Sequence, residues 1–293
     1  MQTTAVHIVS VFTVDGRGGN PATITLDADP LSTDAMQRIA QRAGHECGFV
    51  VRAPAGSGFD AAFRFFVPKH EMEMCGHATV GALWLLHRLG RLPDRERVAI
   101  STLSGPVTGR IDHRGTPAAR IAISQPRGRI APLPDPDADT RRIAAVLGIA
   151  PGDLAAQPIV NASTSRVKTL IPLGSADALN RVQPDFARIE ALCDDLGSTG
   201  LYPFAPVDLE HQVFEARQFP KASGYPEDAA TGIAASALAF GLLEHRLVAA
   251  TDAEISIYQG RAMGQLSRIR VAFDPAGGPA AGCWVTGDVA EQV

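Results

Sequence analysis

Residues 76–89 read GHATVGALWLLHRL and residues 232–245 read GIAASALAFGLLEH. Each run is long enough for a helix, begins at a glycine and is apolar nearly all round, the pattern of a helix enclosed on every side. Small residues occupy the early turns of both, Gly76, Ala78, Gly81 and Ala82 in one and Gly232, Ala234, Ala235 and Ala237 in the other, so surrounding strands can approach closely. Working outward, apolar alternation places strands near 6–14, 22–26, 49–52 and 62–67 before the first run, with an amphipathic helix near 33–42. The second half repeats this order: a helix near 184–195, strands near 201–206 and 212–219, the second apolar run, and strands near 254–258 and 267–273. The predicted fold is α+β, two similar lobes, each a curled, mostly antiparallel sheet around a central helix. The N-terminal lobe spans 1–124, with the final strand, about 280–293, packing back on it; the C-terminal lobe spans 125–280. The join falls near 124–139, where QPRGRIAPLPDPDAD is rich in Pro and Asp. A single doubly wound sheet fits less well, because the strands do not alternate singly with helices.

A chain of 293 residues accommodates two domains of about 130 residues each. Hydrophobic residues make up 45% and charged residues 20%, a balance that supplies two cores and excludes disorder. The formal net charge is -4, and the cations are scattered, so no nucleic-acid footprint is present. The start, MQTTAVHIVSVFTVDG, has neither the positive region nor the cleavage site of an export signal and reads as a strand. The longest apolar stretch, about 231–243, is too short to cross a bilayer. The expectation is a cytoplasmic protein with no membrane partner. Cys47, Cys75, Cys193 and Cys283 form no CxxC pair, so free thiols are expected.

Three short segments could carry chemistry: His45-Glu46-Cys47, Cys75-Gly76-His77-Ala78-Thr79 and Glu227-Asp228-Ala229-Ala230-Thr231-Gly232. The last two stand at the N-termini of the enclosed helices, where unpaired backbone N–H groups and partial positive charge suit an anion or a developing oxyanion. Two such termini at one cleft between the halves would make an anion-holding site. The plainer reading is that both glycines permit tight turns and close packing. Glu46 lies in a stretch with little charge that leads into an apolar strand; half-buried there, its pKa would rise toward neutrality, as a group that both takes and returns a proton requires. An ordinary surface glutamate at a strand start is the alternative. His77 and Asp228 could equally be helix N-caps, a role for which Asp is a preferred residue.

Several motifs in order resemble the phenazine-biosynthesis (PhzF-like) family: GNPATI at 19–24, the run Arg64-Phe65-Phe66-Val67-Pro68 with Glu71 and CGHAT, then EDAATG, then Gln259-Gly260. They cover nearly the whole chain, and four in order with this spacing are specific. The resemblance implies the diaminopimelate-epimerase-like fold and a homodimer. It implies that Glu46 is the general acid/base, that Gly76, His77 and Asp228 position the substrate, and that Gly232 contacts it through its backbone. The implied reaction is a proton shift in a small-molecule carboxylate substrate, as in trans-2,3-dihydro-3-hydroxyanthranilate isomerase, with no metal or organic cofactor. His45 replaces a small hydroxyl residue common in the family, and Ile233 replaces a serine. Both alterations fall where substrate polar groups would lie, so they bear on the substrate rather than on the reaction type. Gln265 stands where the family often has arginine.

Three rival readings remain. Epimerases of this fold use two opposed cysteines; Cys75 stands at the first place, but Ala229 and Ala230 fill the second. His45, Cys47, Cys75 and His77 could supply four zinc ligands, although one intervening residue in each pair is tighter than usual. A binding module that has kept the fold without catalysis is the third, and solvent hydrogen exchange into a bound ligand separates it from an enzyme.

Overall fold

A computed structural model describes residues 5–116 and 119–291. In chain order the elements are β1 (Val6–Thr13), β2 (Asn20–Thr25), α1 (Thr33–Ala43), β3 (Cys47–Val51), β4 (Ala61–Phe66), β5 (Glu71–Met72), α2 (Gly76–Arg88), β6 (Arg97–Thr102), β7 (Gly105–Asp112) and β8 (Arg120–Gln125). There follow β9 (Arg129–Pro132), α3 (Pro136–Leu147), β10 (Val160–Ser163), β11 (Val167–Pro172), α4 (Ala176–Arg181), α5 (Phe186–Leu196), β12 (Gly200–Asp208), β13 (Val213–Ala216) and β14 (Phe219–Pro220). The chain closes with α6 (Gly232–Glu244), β15 (Ile255–Gln259), β16 (Ser267–Asp274), α7 (Gly278–Ala281), β17 (Gly282–Thr286) and β18 (Asp288–Glu291). Two compact units result, Met1–Ser124 with Val285–Val293, and Gln125–Trp284. The fold is α+β, each unit curling a mixed, mostly antiparallel sheet round one central helix.

In the first unit, the antiparallel pairs β1–β2, β3–β4, β6–β7 and β7–β8 are joined by the parallel pairs β2–β3 and β4–β6, and β18 adds to β1. Helix α2 packs on β1, β2 and β3 and is buried from Gly76 through Leu83. The small residues permit this: a Cβ on Gly81 would meet Val9 Cγ2 at 2.9 Å. On the opposite face of β3 and β4, α1 buries Met36 and Ala40 against Cys47, Phe49 and Phe66. Helix α1 is delimited as its sequence dictates, by Ser32, whose hydroxyl accepts from the Ala35 N–H, and by Gly44 in the left-handed conformation.

The second unit repeats the plan. The antiparallel pairs β9–β10, β10–β11, β12–β13, β12–β14 and β15–β16 are joined by the parallel pairs β11–β12 and β13–β15. Helix α6 is buried from Gly232 through Leu242, and a Cβ on Gly241 would come within 2.4 Å of Leu170 Cδ1. Helices α3, α4 and α5 cover the outer face, enclosing Ile171, Leu173, Leu201, Ala205 and Phe219.

The stretch read as a join is structured. It holds β9 and the start of α3, where Asp135 is the N-cap and Pro136 opens the helix, so its prolines and aspartates punctuate rather than unfold the chain. The expected final strand is two strands, β17 and β18, and residues 292 and 293 of that expectation lie outside the described residues.

Candidate functional site

The first cluster is built at the N-terminus of α2. Gly48 lies against this helix, where a Cβ would stand 3.4 Å from Ala78 Cβ, whereas Cys47 and Phe49 face the α1 side. Glu46 stands just before this strand, its carbonyl accepting from the Thr23 N–H at 3.4 Å. Glu46 is only 6% exposed, more deeply buried than its sequence setting led us to expect. Next to it, His45 Nε2 lies 2.9 Å from Thr23 Oγ1. Burial, then the neighbouring His77, pushes the His45 pKa down, partly offset by the Ala43 backbone, so the ring is neutral at pH 7. His77 is buried and its Nδ1 lies 3.3 Å from Cys75 Sγ. The residue capping α2 is Cys75, not His77; it makes no side-chain capping bond, and no acidic side chain lies in the first turn to offset the positive end of the helix.

The second cluster stands at the N-terminus of α6. Here too the sequence alternative fails, since the N-cap is Thr231 and Asp228 precedes it by three residues. Asp228 is fixed on three sides: its N–H donates to Gln218 O at 3.0 Å, its Oδ2 accepts from the Thr231 hydroxyl, and its carbonyl accepts from Gln259 Nε2 at 2.7 Å. The Tyr202 hydroxyl donates to Gln259 Oε1 at 2.9 Å. Burial and the Asp228 charge keep this phenol protonated, which fixes the Gln259 amide with its nitrogen toward Asp228. Gly260 turns the chain at φ 82°, and a Cβ there would lie 2.3 Å from Gln265 O and 2.8 Å from Ala229 O, so glycine is required. Behind Asp228, Arg217 and Glu227 form a buried bidentate pair, with Nε to Oε1 at 2.9 Å and Nη2 to Oε2 at 2.8 Å, and Arg217 Nη1 also donates to Val182 O at 2.7 Å. Ile233 is buried in the first turn of α6, and Gln265 lies in an exposed turn.

Glu46, Gly76 and His77 are thus brought to one end of α2, and Asp228 and Gly232 to one end of α6. Lys168, Tyr202, Arg217 and Gln218 went unread in the sequence; a lone lysine in the apolar strand VKTLIP was the available signal. Burial pushes the Cys47 thiol up to about 12 despite a hydrogen bond from Thr23, and Glu46 adds to the rise. Ala229 and Ala230, at the place a second catalytic thiol would need, are buried alanines. No group of three or more His, Cys, Asp or Glu among the described residues could hold a metal ion, and none of the described helices is long and apolar enough to cross a membrane.

Residues 9–286 match the family described as phenazine biosynthesis-like protein, PhzC-PhzF. The chain belongs to this family. A Deinococcus radiodurans protein named as an uncharacterized isomerase is 34% identical, the match covering 92% of this chain and 86% of that one. The trans-2,3-dihydro-3-hydroxyanthranilate isomerase of Pseudomonas aeruginosa is 30% identical over 92% of this chain and 90% of its own. The crystal structure of a Bacillus anthracis phenazine biosynthesis protein of the PhzF family superimposes with a TM-score of 0.86 at 25% identity, covering 100% of this chain and 98% of that one. Membership and these relatives make the protein an isomerase of the PhzF type, and the family motifs account for both clusters: CGHAT opens α2, while EDAATG and Gln259-Gly260 build the approach to α6.

Proposed function

We infer that this isomerase moves a proton between carbons of a small carboxylate or amino-acid-like substrate without a cofactor; the substrate in the name of the Pseudomonas aeruginosa relative, a dihydro-hydroxyanthranilate, is of that class. Glu46 takes the proton and returns it. Gly76, His77, Asp228 and Gly232 position the substrate. The observation that carries this reading is the burial of Glu46, 6% exposed, immediately before the strand whose Gly48 lies on Ala78 of α2. A carboxylate withdrawn from water can hold an abstracted proton away from bulk exchange, while a helix N-terminus stabilises the enolate-like charge left on the substrate. Ala229 and Ala230 leave the second helix without a thiol to serve as an opposed acid, which favours a proton shift over inversion. His45, neutral and engaged with Thr23, and Ile233, apolar, alter the polar groups offered to the substrate and support a preference differing from that of the phenazine enzyme.

The test is Glu46→Gln, assayed on trans-2,3-dihydro-3-hydroxyanthranilate and on a panel of cyclic amino acids and dienes bearing a carboxylate. Turnover falls by at least about a hundredfold, the usual contribution of an acid/base group, while substrate binding survives. Near-normal turnover in the variant refutes the assignment.

A further inference from the structure

The face of the second unit's sheet that looks toward α6 carries two polar side chains without an assigned role. Strand register locates them. Thr169 pairs with Leu201 and Leu201 with Phe219, and Leu201 and Phe219 belong to the outer core under α3 to α5. Their preceding neighbours Lys168, Gly200 and Gln218 therefore point the other way, side by side across three strands. Leu170, two residues beyond Lys168, fixes the direction through its contact with Gly241 of α6. Gly200 has no side chain, and Gln218 Nε2 uses the space, 2.2 Å from where a Cβ would stand.

Both side chains are buried, and that of Gln218 is without satisfaction. Lys168 is 6% exposed, and its charge meets those of Arg166 and Asp228. Gln218 is 1% exposed, and neither its Oε1 nor its Nε2 has a hydrogen-bond partner. A buried carboxamide with neither end matched is costly, as is an ammonium drawn out of water, and such groups persist where a ligand completes them. Both also adjoin Asp228: its charge reaches Lys168, and its N–H is held by the Gln218 carbonyl.

We propose that Lys168 and Gln218 form a subsite, beside the N-terminus of α6, that holds a carboxylate group of the substrate. The Lys168 ammonium supplies charge and one donor, and Gln218 Nε2 supplies a second donor. Asp228, whose Oδ2 accepts from the Thr231 hydroxyl, stands next to the acid-holding pair. The subsite rests on the carboxylate reading of the substrate given above. Lys168 and Gln218 are positioning residues and transfer no proton to carbon.

The experiment is calorimetric titration of the full chain with 2-aminobenzoate and with its uncharged counterpart 2-aminobenzamide. The wild type binds the acid about tenfold more tightly than the amide, as a charge-assisted hydrogen bond provides. Lys168→Met and Gln218→Leu each lose that preference while circular dichroism and cooperative melting persist, and Lys168→Arg keeps part of it. Glu46→Gln retains the preference in full. Absence of acid binding in the wild type, equal binding of acid and amide, or an intact preference in Gln218→Leu and in a folded Lys168→Met overturns the subsite; should Lys168→Met not fold, Gln218→Leu decides. Glu46-dependent turnover without acid preference overturns the subsite alone, whereas Lys168-dependent preference with Glu46-independent turnover overturns only the proton carrier.

Discussion

Glu227→Gln removes one charge from a buried ion pair while preserving the shape of the side chain. The Arg217 and Glu227 side chains are 10% and 9% exposed, so water cannot replace the lost partner. The two parallel bonds from the guanidinium at 2.9 and 2.8 Å become one weaker bond to an amide oxygen, with the Val182 carbonyl at 2.7 Å left as a neutral acceptor. Outright removal of one member of such a pair costs about 3–5 kcal/mol; the retained amide oxygen lowers this to about 2–3 kcal/mol. For a domain of this size that loss lowers Tm by roughly 5–10 °C. Calorimetry and urea denaturation measure it. The double variant Arg217→Met with Glu227→Leu regains most of the loss, because neither partner is then left charged in an apolar place. A loss below about 1 kcal/mol in Glu227→Gln would show that water reaches the pair and that it does not brace the segment carrying Asp228.

Lys168→Met stabilises the protein at neutral pH. Burial, then Arg166, pulls the Lys168 ammonium down from 10.5 to about 8 against the attraction of Asp228 and Cys193. The folded state thus holds this proton less tightly than the unfolded chain, so the full penalty of about 3 kcal/mol applies below pH 8 and fades as pH rises to 10.5. The variant's advantage in urea melts is largest at pH 7 and shrinks toward pH 10; an advantage independent of pH contradicts the assignment. Cys75→Ala folds and keeps turnover within about threefold, and a chelator changes nothing; inactivation by a thiol reagent that a bound ligand prevents would favour a thiol mechanism.

The parts of this fold that could be read from sequence were those with an unbroken signal. The runs opening at Gly76 and Gly232 have no polar face, and such helices require surrounding strands. Strands β6, β7 and β10 were missed although burial alternates along RVAIST, GPVTGRID and VNAS, because only two or three positions in each are buried and Gly109 and Ala162 among them carry little apolar signal. The residues at the two helix starts were legible through their motifs, but the bracing was not. Tyr202, Arg217 and Gln218 reach Asp228 and Glu227 across strand register and loop closure, which a linear pattern does not encode. The burial of Glu46 was likewise a tertiary property.

The most direct test of Glu46 acting alone is the position and configuration of the proton it returns. With the substrate that the panel identifies, turnover in heavy water is followed by NMR. One carboxyl group works on one face, so it moves hydrogen between carbons and cannot supply a donor on the opposite side. The account predicts a positional isomer with a relocated double bond and deuterium at the receiving carbon, complete where the carboxyl exchanges quickly and partial where the buried site excludes water. Deuterium at a stereocentre that has inverted, with no double bond moved, would reveal two opposed acids and contradict it.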